Sequence, residues 1–384
     1  MHAQIMSLLC AAVVLVLLSP WEPMLASAAS SVGSRRYDAI FSLGDSFTDT
    51  GNNPTVFAYY SIADPVTRPP YGNTFFGRPT GRNCDGRLII DFIAEGLGLP
   101  YVPPYLGPPF GSPSPSAASF RQGASLAVGG ATALDVEFYH SRGILSASSK
   151  FPLNASLSVQ LEWFGSHLKP SLCRTTQECD KLFGRSLFFV GEFGVNDYQF
   201  LFGKMRLADI SSNVVPTVID TIRQAIERLI KLGAKTLVVP GVIPSGCTPL
   251  ILDIFPEPNP SGYSTKTGCM LQYNELGRHH NTLLQESLQQ IRAKNPGVKI
   301  IYADFFSPIM EMVQSPRKFG FRDDILSVCC GGGSGKYNYN MSVPCGSPNA
   351  TTCSHPSASL NWDGIHFTEA ANRHIASRWL SSIT

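Results

Sequence analysis

Charged residues are scarce in this chain of 384 residues, since Asp, Glu, Lys and Arg together make up only 15% of it. The 30 basic side chains nearly balance the 28 acidic ones, and no run of five or more basic residues occurs. Nucleic-acid binding needs a concentrated positive surface, so we expect no nucleic-acid partner. The 43% of hydrophobic residues supply apolar surface for a sizeable core, which argues against a disordered chain.

Several common motifs are missing as well. No two cysteines have the C-x2-C spacing that is typical of zinc sites, and G-x-S-x-G, the serine turn of α/β-hydrolases, does not occur. The string GGGSGKY departs from the phosphate-binding loop at two positions, which hold Cys330 and Tyr337. The adjacent His279 and His280 do not share a helix face and are not expected to bind a metal. The sequence therefore predicts no metal ion and no cofactor.

The N-terminus is typical of a secretory signal peptide. Residues 8–18 (LLCAAVVLVLL) form an apolar run, and an A-x-A cleavage site follows at residues 26–28, although the first seven residues lack the usual Lys or Arg. The run is shorter than the roughly 20 apolar residues that span a bilayer. We therefore predict a leader over residues 1–28 and a mature chain over residues 29–384, secreted to the extracellular space or another compartment of the secretory pathway and without a transmembrane segment.

Cysteines and glycosylation sequons agree with that route. The chain has 10 cysteines, and loss of Cys10 with the leader leaves an odd number, so at least one is unpaired. We expect the others to form disulfides that staple loops, in a connectivity that the sequence leaves open. Three N-x-[ST] sequons predict glycosylation at Asn154, Asn340 and Asn349.

Apolar strand patterns alternate with amphipathic helix patterns along the mature chain. The predicted strands cover residues 37–43, 188–191, 236–240 and 298–304. The predicted helices cover residues 87–97, 210–232, 271–293 and 368–383. This alternation indicates an α/β fold with a parallel sheet covered by helices on both faces. Three loop-rich excursions, over residues 53–82, 103–122 and 319–360, are short enough to belong to a single domain, in which long ordered loops usually shape a binding site.

Ser46 stands out in the stretch FSLGDSFTDTGNN, because it follows the first predicted strand directly. Open parallel sheets bind ligands at the carboxyl ends of their strands. A serine nucleophile also needs a base and a group that orients the base. In NWDGIHFTEAANRHIA, Asp363 and His366 lie three residues apart around Gly364, so a turn there can bring the carboxylate to one imidazole nitrogen. Ser46, His366 and Asp363 are therefore the candidate nucleophile, base and orienting acid.

Two further stretches supply donors for a negatively charged oxygen. Asn196, in GVND after the strand pattern FFVGEF, carries a side-chain amide to a carboxyl end of the sheet. Gly130, in AVGGATAL, has no Cβ, so its backbone N–H can approach a bound substrate closely. With the backbone N–H of Ser46, these residues form a candidate oxyanion hole.

The four stretches FSLGDSFTDTGNN, GASLAVGGATAL, GVND and DGIH occur in this order and resemble the GDSL esterase/lipase family, the SGNH hydrolases. The stretches CDGRLIIDFIAEGLGLPYVPPYL and WDGIHFTEAA look like its plant branch. The resemblance extends from about residue 37 to residue 383. It implies a flavodoxin-like three-layer α/β/α sandwich of about five parallel strands.

The resemblance also implies roles for matching positions: nucleophile at Ser46, oxyanion residues at Gly130 and Asn196, and acid and base at Asp363 and His366. The glycine stretch of the family often carries asparagine where this chain has Ser125, and Val195 stands between Gly194 and Asn196. Neither departure replaces a proposed catalytic residue. They bear on substrate fit.

Three functions remain open on the sequence. The first is a secreted, monomeric serine hydrolase that cleaves short-chain acyl esters, acetyl esters included, of a carbohydrate, a specialised metabolite or a lipid. The second is an acyltransferase that uses the same serine, and the third is a secreted glycoprotein without catalytic activity. Six aromatic residues in the first excursion are candidates for lining a pocket or stacking on a sugar: Phe57, Tyr59, Tyr60, Tyr71, Phe75 and Phe76.

Overall fold

A parallel sheet lies at the centre of the computed structural model of this chain. Its strands are β1 (Ala39–Leu43), β2 (Gly123–Ser125), β3 (Ser186–Val190), β4 (Thr236–Pro240) and β5 (Lys299–Ala303). Their spatial order is β2-β1-β3-β4-β5, and every pairing is parallel. This order is that of flavodoxin-like folds, in which ligands bind outside the carboxyl ends of the strands where the order reverses. The predicted fold class is confirmed.

The structure describes residues 36–107, 120–146, 148–333 and 335–384. The predicted signal peptide, residues 1–28, lies outside these described residues. The described residues belong to one compact unit. Among the described residues, no helix is long and apolar enough to cross a membrane.

The strands form because they are short apolar runs that helices cover on both faces. Successive side chains of a strand point to opposite faces. Phe41 and Phe188 accordingly pack into the core on one face of the sheet, while Ile40 and Phe189 pack into the core on the other. All four side chains are at most 1% exposed. The sheet is thereby fixed as the middle layer of the sandwich.

Helices and short turns surround the sheet. Within the described residues the helices are α1 (Asn53–Tyr59), α2 (Ile89–Gly96), α3 (Val136–Ser141), α4 (Leu157–Glu162), α5 (Lys169–Leu172), α6 (Thr176–Gly184), α7 (Val195–Gln199), α8 (Leu207–Asp209), α9 (Val215–Lys231), α10 (Pro249–Ile254), α11 (Leu271–Lys294), α12 (Phe306–Gln314) and α13 (Glu369–Ile383). Wider π-type turns join α4 to α5 and α8 to α9. A small antiparallel hairpin pairs β6 (Cys330–Gly331) with β7 (Thr351–Thr352).

The helix predicted over residues 210–232 differs at its start. A π-type turn, Ile210–Val214, precedes α9. Pro216 has no N–H to donate to the preceding turn, which accounts for the wider winding there. The C-terminal end of this helix agrees with the prediction. Gly233 follows it with a φ of +112°, which other residues rarely adopt and which terminates the helix.

Several elements were not expected from the sequence, α1 and β2 among them. The excursion over residues 53–82 contains α1, which carries Pro54 in its first turn. The edge strand β2 is only three residues long, and a Cβ at Gly123 would lie 1.9 Å from the Ile40 carbonyl oxygen. Close packing against β1 therefore determines this strand, and its local sequence carries little strand propensity.

The disulfides now have a connectivity. Sulfur pairs form between Cys173 and Cys179, Cys247 and Cys269, Cys329 and Cys353, and Cys330 and Cys345. Among the described residues, Cys84 is the free cysteine, and it is buried. The two pairs that start at Cys329 and Cys330 lie within the excursion over residues 319–360 and cross-link it internally.

Candidate active site

Ser46 lies on a tight turn at the carboxyl end of β1, and buried hydrogen bonds fix that turn. The Asp45 carboxylate accepts the Phe47 N–H, and the Asp45 carbonyl accepts the Thr48 N–H. On the other side, the Gln160 amide both donates to the Gly44 carbonyl and accepts the Gly44 N–H, each at 2.8 Å. The Ser46 side chain is thus carried by a turn with little freedom to move.

Asp363 and His366 lie on the turn before α13. The Asp363 carboxylate accepts the backbone N–H groups of Ile365 and His366, each at 2.9 Å, which folds the turn back on itself. The same carboxylate accepts Nδ1–H of His366, at 2.8 Å from Oδ2. His366 Nε2 faces Ser46 Oγ at 2.8 Å. The structure therefore brings Ser46, His366 and Asp363 into one series of hydrogen bonds.

The charges of this series reinforce one another. Burial lowers the pKa of His366, but attraction to Asp363 and its hydrogen bond outweigh burial, so the pKa of His366 is raised above 6.5. Burial favours the neutral form of Asp363, but His366 and the backbone donors hold the pKa of that carboxyl below 3.8. The two side chains remain 13% and 14% exposed, so water can reach them. The pair suits a base that must accept and then return a proton.

The three oxyanion candidates surround Ser46 differently. Among the described residues, no hydrogen-bond acceptor takes the backbone N–H of Ser46 or of Gly130, and Gly130 has a φ of +81°. Asn196 is placed at the start of α7, but its Nδ2 already donates to Asp45 Oδ2 at 2.8 Å and to the Ala131 carbonyl at 3.0 Å. Two backbone donors are therefore open, while the Asn196 amide is engaged by neighbouring acceptors.

Tyr71 contacts the turn that carries His366 in a way that the sequence did not indicate. The Tyr71 hydroxyl, from the first excursion, donates to Asp363 Oδ2 at 2.9 Å. Tyr71 is 3% exposed and packs edge-on against Trp362. Tyr71 lies within an aromatic-rich excursion of the sequence, which marked it as a candidate but did not indicate its contact with Asp363. Tyr71 therefore donates to the candidate orienting acid, and its buried ring leaves little surface on which a sugar could stack.

The disulfide-linked hairpin supports the same turn from the other side. Backbone N–H groups of Cys329 and Cys330 donate to the carbonyls of Asn361 and Trp362. A Cβ at Gly364 would lie 2.2 Å from the Tyr339 ring, so only glycine fits at that position. The excursion over residues 319–360 therefore packs against the turn that carries Asp363 and His366.

Of the other aromatic candidates, Phe75 and Phe76 differ from Phe57 in their surroundings. Phe75 and Phe76 pack on the guanidinium groups of Arg87 and Arg82, at 3.8 Å and 4.9 Å, and serve packing. Phe57 instead contacts Phe151, which stacks on Phe200. All three of the latter rings are half-buried. They form an apolar wall, and the Phe151 ring is 3.8 Å from where a Cβ of Gly130 would lie.

The two departures from the family pattern have structural explanations. The Ser125 hydroxyl donates to the Thr48 carbonyl at 3.0 Å and so supports the loop after Ser46. Val195 is 2% exposed and belongs to the apolar core. Among the described residues, neither side chain forms a hydrogen bond with Ser46 or His366.

Among the described residues, the histidines outside the site do not assemble a metal centre. Buried His280 shares a hydrogen bond with the Tyr198 hydroxyl, and burial lowers its pKa to about 3. The part of the chain that the structure describes holds no cluster of His, Cys, Asp or Glu side chains that could bind a metal ion.

Comparison with known proteins gives one consistent result. The family model described as GDSL-like Lipase/Acylhydrolase matches residues 40–379. A GDSL esterase/lipase of Arabidopsis thaliana is 45% identical over 348 residues, which are 90% of this chain and 91% of that protein. The sinapine esterase of Brassica napus is 43% identical over 356 residues, which are 91% of this chain and 86% of that protein.

Removal of the Cys330–Cys345 disulfide tests how far the hairpin supports the site. We expect the double variant Cys330→Ser/Cys345→Ser to cleave a p-nitrophenyl ester at least about tenfold more slowly, because the turn with His366 loses its support. We also expect its free energy of unfolding to fall by about 3 kcal/mol. The matched control is Cys173→Ser/Cys179→Ser. That disulfide borders Asp38 and Arg185 at the amino ends of β1 and β3, opposite to Ser46. Equal loss of activity in both variants at a temperature where both are folded would contradict this role.

Tyr71→Phe tests the support of the orienting acid. We expect kcat to fall about 3- to 30-fold with KM nearly unchanged, because the lost hydroxyl donates to Asp363 and not to substrate. Without that donor more negative charge faces His366, so the acid limb of kcat/KM should move to higher pH. Tyr263→Phe is the control, since that hydroxyl accepts the Glu257 N–H instead. The same pH profile of kcat/KM for Tyr71→Phe and Tyr263→Phe would show that Tyr71 has no such role.

Proposed function

This chain belongs to the GDSL-like lipase/acylhydrolase family and is a carboxylic ester hydrolase, and on that premise we propose that Ser46 is its nucleophile, His366 its general base and Asp363 the acid that orients the base. The observation that carries the proposal is the unbroken series of hydrogen bonds from Asp363 through His366 to Ser46 Oγ. A serine hydroxyl is a weak nucleophile unless a positioned base takes its proton.

The first half of the reaction forms an acyl-enzyme. Ser46 Oγ attacks the ester carbonyl carbon while its proton moves to His366 Nε2. The Asp363 carboxylate stabilises the imidazolium that results and keeps Nδ1 protonated. The tetrahedral intermediate then breaks its bond to the alcohol oxygen, which takes the proton from His366 Nε2.

The negative charge on the carbonyl oxygen is stabilised by the oxyanion donors. The backbone N–H groups of Ser46 and Gly130 supply two hydrogen bonds, since neither has another acceptor among the described residues. The Asn196 amide supplies the third by exchanging its bond to the Ala131 carbonyl for one to the substrate. Loss of one such donor typically lowers the rate about 10²- to 10³-fold.

The second half is hydrolysis of the acyl-enzyme. His366 Nε2 takes a proton from water, the water oxygen attacks the acyl carbon, and Ser46 leaves as the proton returns to its oxygen. The partial exposure of His366 and Asp363 supports this step, because water must reach the site. No metal ion or cofactor takes part in the proposed reaction.

The substrate is proposed to be a short-chain acyl ester, acetyl esters included, of a carbohydrate, a specialised metabolite or a lipid. The apolar wall of Phe57, Phe151 and Phe200 next to Gly130 suits an uncharged acyl group. A relative of this chain carries the name sinapine esterase, which supports a small ester of specialised metabolism.

We also propose that the protein is a secreted, monomeric glycoprotein. Four disulfides among the described residues are compatible with an oxidising compartment. Asn154, Asn340 and Asn349 are all exposed, as glycosylated side chains must be.

Ser46→Ala should abolish ester cleavage. We expect kcat for p-nitrophenyl esters to fall at least about 10⁴-fold with unchanged thermal unfolding, because the nucleophile is lost and little packing changes. Ser42→Ala is the matched control. Ser42 lies on β1, the strand that leads to Ser46, and its hydroxyl is buried without a hydrogen-bond partner among the described residues. Turnover retained in pure Ser46→Ala protein would refute the proposed nucleophile.

The same assay across chain lengths from acetate to palmitate defines the acyl group. Fastest cleavage of the acetate supports the short-chain proposal, whereas fastest cleavage of the palmitate contradicts it. A third outcome is slow hydrolysis of every ester, with faster consumption of the ester when an alcohol acceptor is added. That outcome would replace the proposed hydrolysis with acyl transfer.

Glycosylation can be measured by mass. Protein expressed through a eukaryotic secretory pathway should lose mass on treatment with an N-glycosidase, and each of the variants Ser156→Ala, Ser342→Ala and Thr351→Ala should remove one glycan by breaking one sequon. Unchanged mass of the secreted wild-type protein after the enzyme treatment would contradict the proposal.

A further inference from the structure

Glu192 places a second buried carboxyl beside Asp45, directly beneath the turn that carries Ser46. Glu192 follows β3 and is 1% exposed, and Asp45 is also 1% exposed. Neither oxygen of Glu192 accepts a regular hydrogen bond from any N–H or O–H of the described residues, and the Val195 N–H is only directed towards it. The Asp45 carboxyl lies within hydrogen-bond reach. A buried carboxyl without a donor needs an explanation.

Two ionised carboxylates cannot satisfy each other. Both would be acceptors only, and their charges would repel at a site without solvent. If one carboxyl keeps its proton, it donates a hydrogen bond to the other, which removes the repulsion and gives one of the two orphaned Glu192 oxygens a partner. Carboxyl pairs of this kind share one proton. The contact is therefore stable when the pair carries a single negative charge.

The surroundings decide which carboxyl holds the proton. Asp45 accepts the Phe47 N–H and the Asn196 amide and is attracted by His366, all of which favour its ionised form. Glu192 faces Asp45 and Asp197, whose negative charges disfavour its ionisation, and the Tyr198 hydroxyl is a further titratable group near it. Burial raises the pKa of Asp45 to about 6 and, together with these neighbours, raises the pKa of Glu192 well above 4.5.

We infer that Glu192 is a neutral positioning residue, which donates its proton to Asp45 and through Asp45 fixes the Asn196 amide and the turn of Ser46. This inference rests on the proposed function of that site. Asp45 Oδ1 holds the Phe47 N–H at 3.0 Å, next to the nucleophile, and Asp45 Oδ2 holds Asn196 Nδ2 at 2.8 Å. A fixed Asp45 therefore aligns the nucleophile turn and one oxyanion donor together.

Loss of the Glu192 proton would act on catalysis in two ways. A second negative charge beneath Ser46 would oppose the charge that develops on the substrate oxygen. It would also repel Asp45 and so disturb the Asn196 amide. Since Glu192 does not contact substrate in this arrangement, kcat should respond and KM should not. Activity should therefore decline at alkaline pH as Glu192 ionises.

Two variants of nearly equal size separate the neutral donor from other roles. In Glu192→Gln the side-chain NH2 can still donate to Asp45, and it cannot ionise. In Glu192→Met the volume is kept but no donor remains. We expect Glu192→Gln to retain at least about a third of the wild-type kcat at pH 6 and to lose the alkaline decline. We expect Glu192→Met to lose about 10- to 100-fold in kcat with KM within about threefold.

The measurement is the pH profile of kcat and KM for p-nitrophenyl acetate from pH 5 to pH 10, on wild type and both variants, with thermal unfolding of each. Glu192→Gln as inactive as Glu192→Met would overturn the inference, because the donor would then not suffice. An alkaline decline unchanged in Glu192→Gln would overturn it too, and that result can be read even if Glu192→Met fails to fold.

Ser46→Ala in the same series keeps the two proposals apart. An inactive Ser46→Ala beside a fully active Glu192→Met rejects only the role of Glu192. Full activity of Ser46→Ala rejects the proposed nucleophile, whatever the Glu192 variants do.

Discussion

The hydrogen bond between Ser46 Oγ and His366 Nε2 joins two parts of the chain that are 320 residues apart. It forms only if the end of β1 and the turn before α13 are held in register to within a few tenths of an ångström. No local sequence preference can achieve that, so the rest of the fold has to. The sheet, the disulfide-linked hairpin and the buried polar contacts can each be understood by how they hold one of these two turns.

Buried polar side chains hold the nucleophile side. Gln160 binds Gly44 through both ends of its amide. The Asp49 carboxylate accepts backbone N–H groups from the start of α1 and from Gly129, so it joins the loop after Ser46 to the glycine stretch. Such contacts cost free energy unless every partner is in place, so they tolerate few alternative arrangements. A rigid set of donors around Ser46 follows, as charge stabilisation in a transition state requires.

Apolar packing and covalent links hold the histidine side. Trp362 is 1% exposed and lies in a small core with Tyr71 and the cysteines of the hairpin. The backbone N–H of Trp362 donates to the His366 carbonyl, so this core continues directly into the turn. Long excursions that would otherwise be mobile loops are thereby made part of the site.

The strands β1, β3, β4 and β5 could be predicted to within about two residues, because each is a short apolar run between helix patterns. Edge strand β2 could not, because Gly123 is required there by its contact with Ile40 and not by strand propensity. The same distinction holds for the site. Ser46, Asp363 and His366 stand in short motifs, and their proximity in the structure agrees with the prediction.

Supporting residues were not predictable in the same way. Tyr71 is 292 residues from Asp363 in sequence, and nothing local to the first excursion indicates their contact. Glu192 did leave a signal, a lone carboxyl within the apolar stretch FFVGEF at the end of a strand. A charged residue at a buried strand end is expensive unless it is paired, so such positions merit attention when no structure exists.

The central claim is that His366 activates Ser46 and no other serine. Its most direct test is labelling with a p-nitrophenyl phosphonate, an electrophile that traps activated serines, followed by peptide mass spectrometry of the adduct. We expect a single adduct, on the peptide that contains Ser46, and a labelling rate that collapses in His366→Ala. An adduct on another serine, or equally fast labelling of Ser46 in His366→Ala, would contradict it.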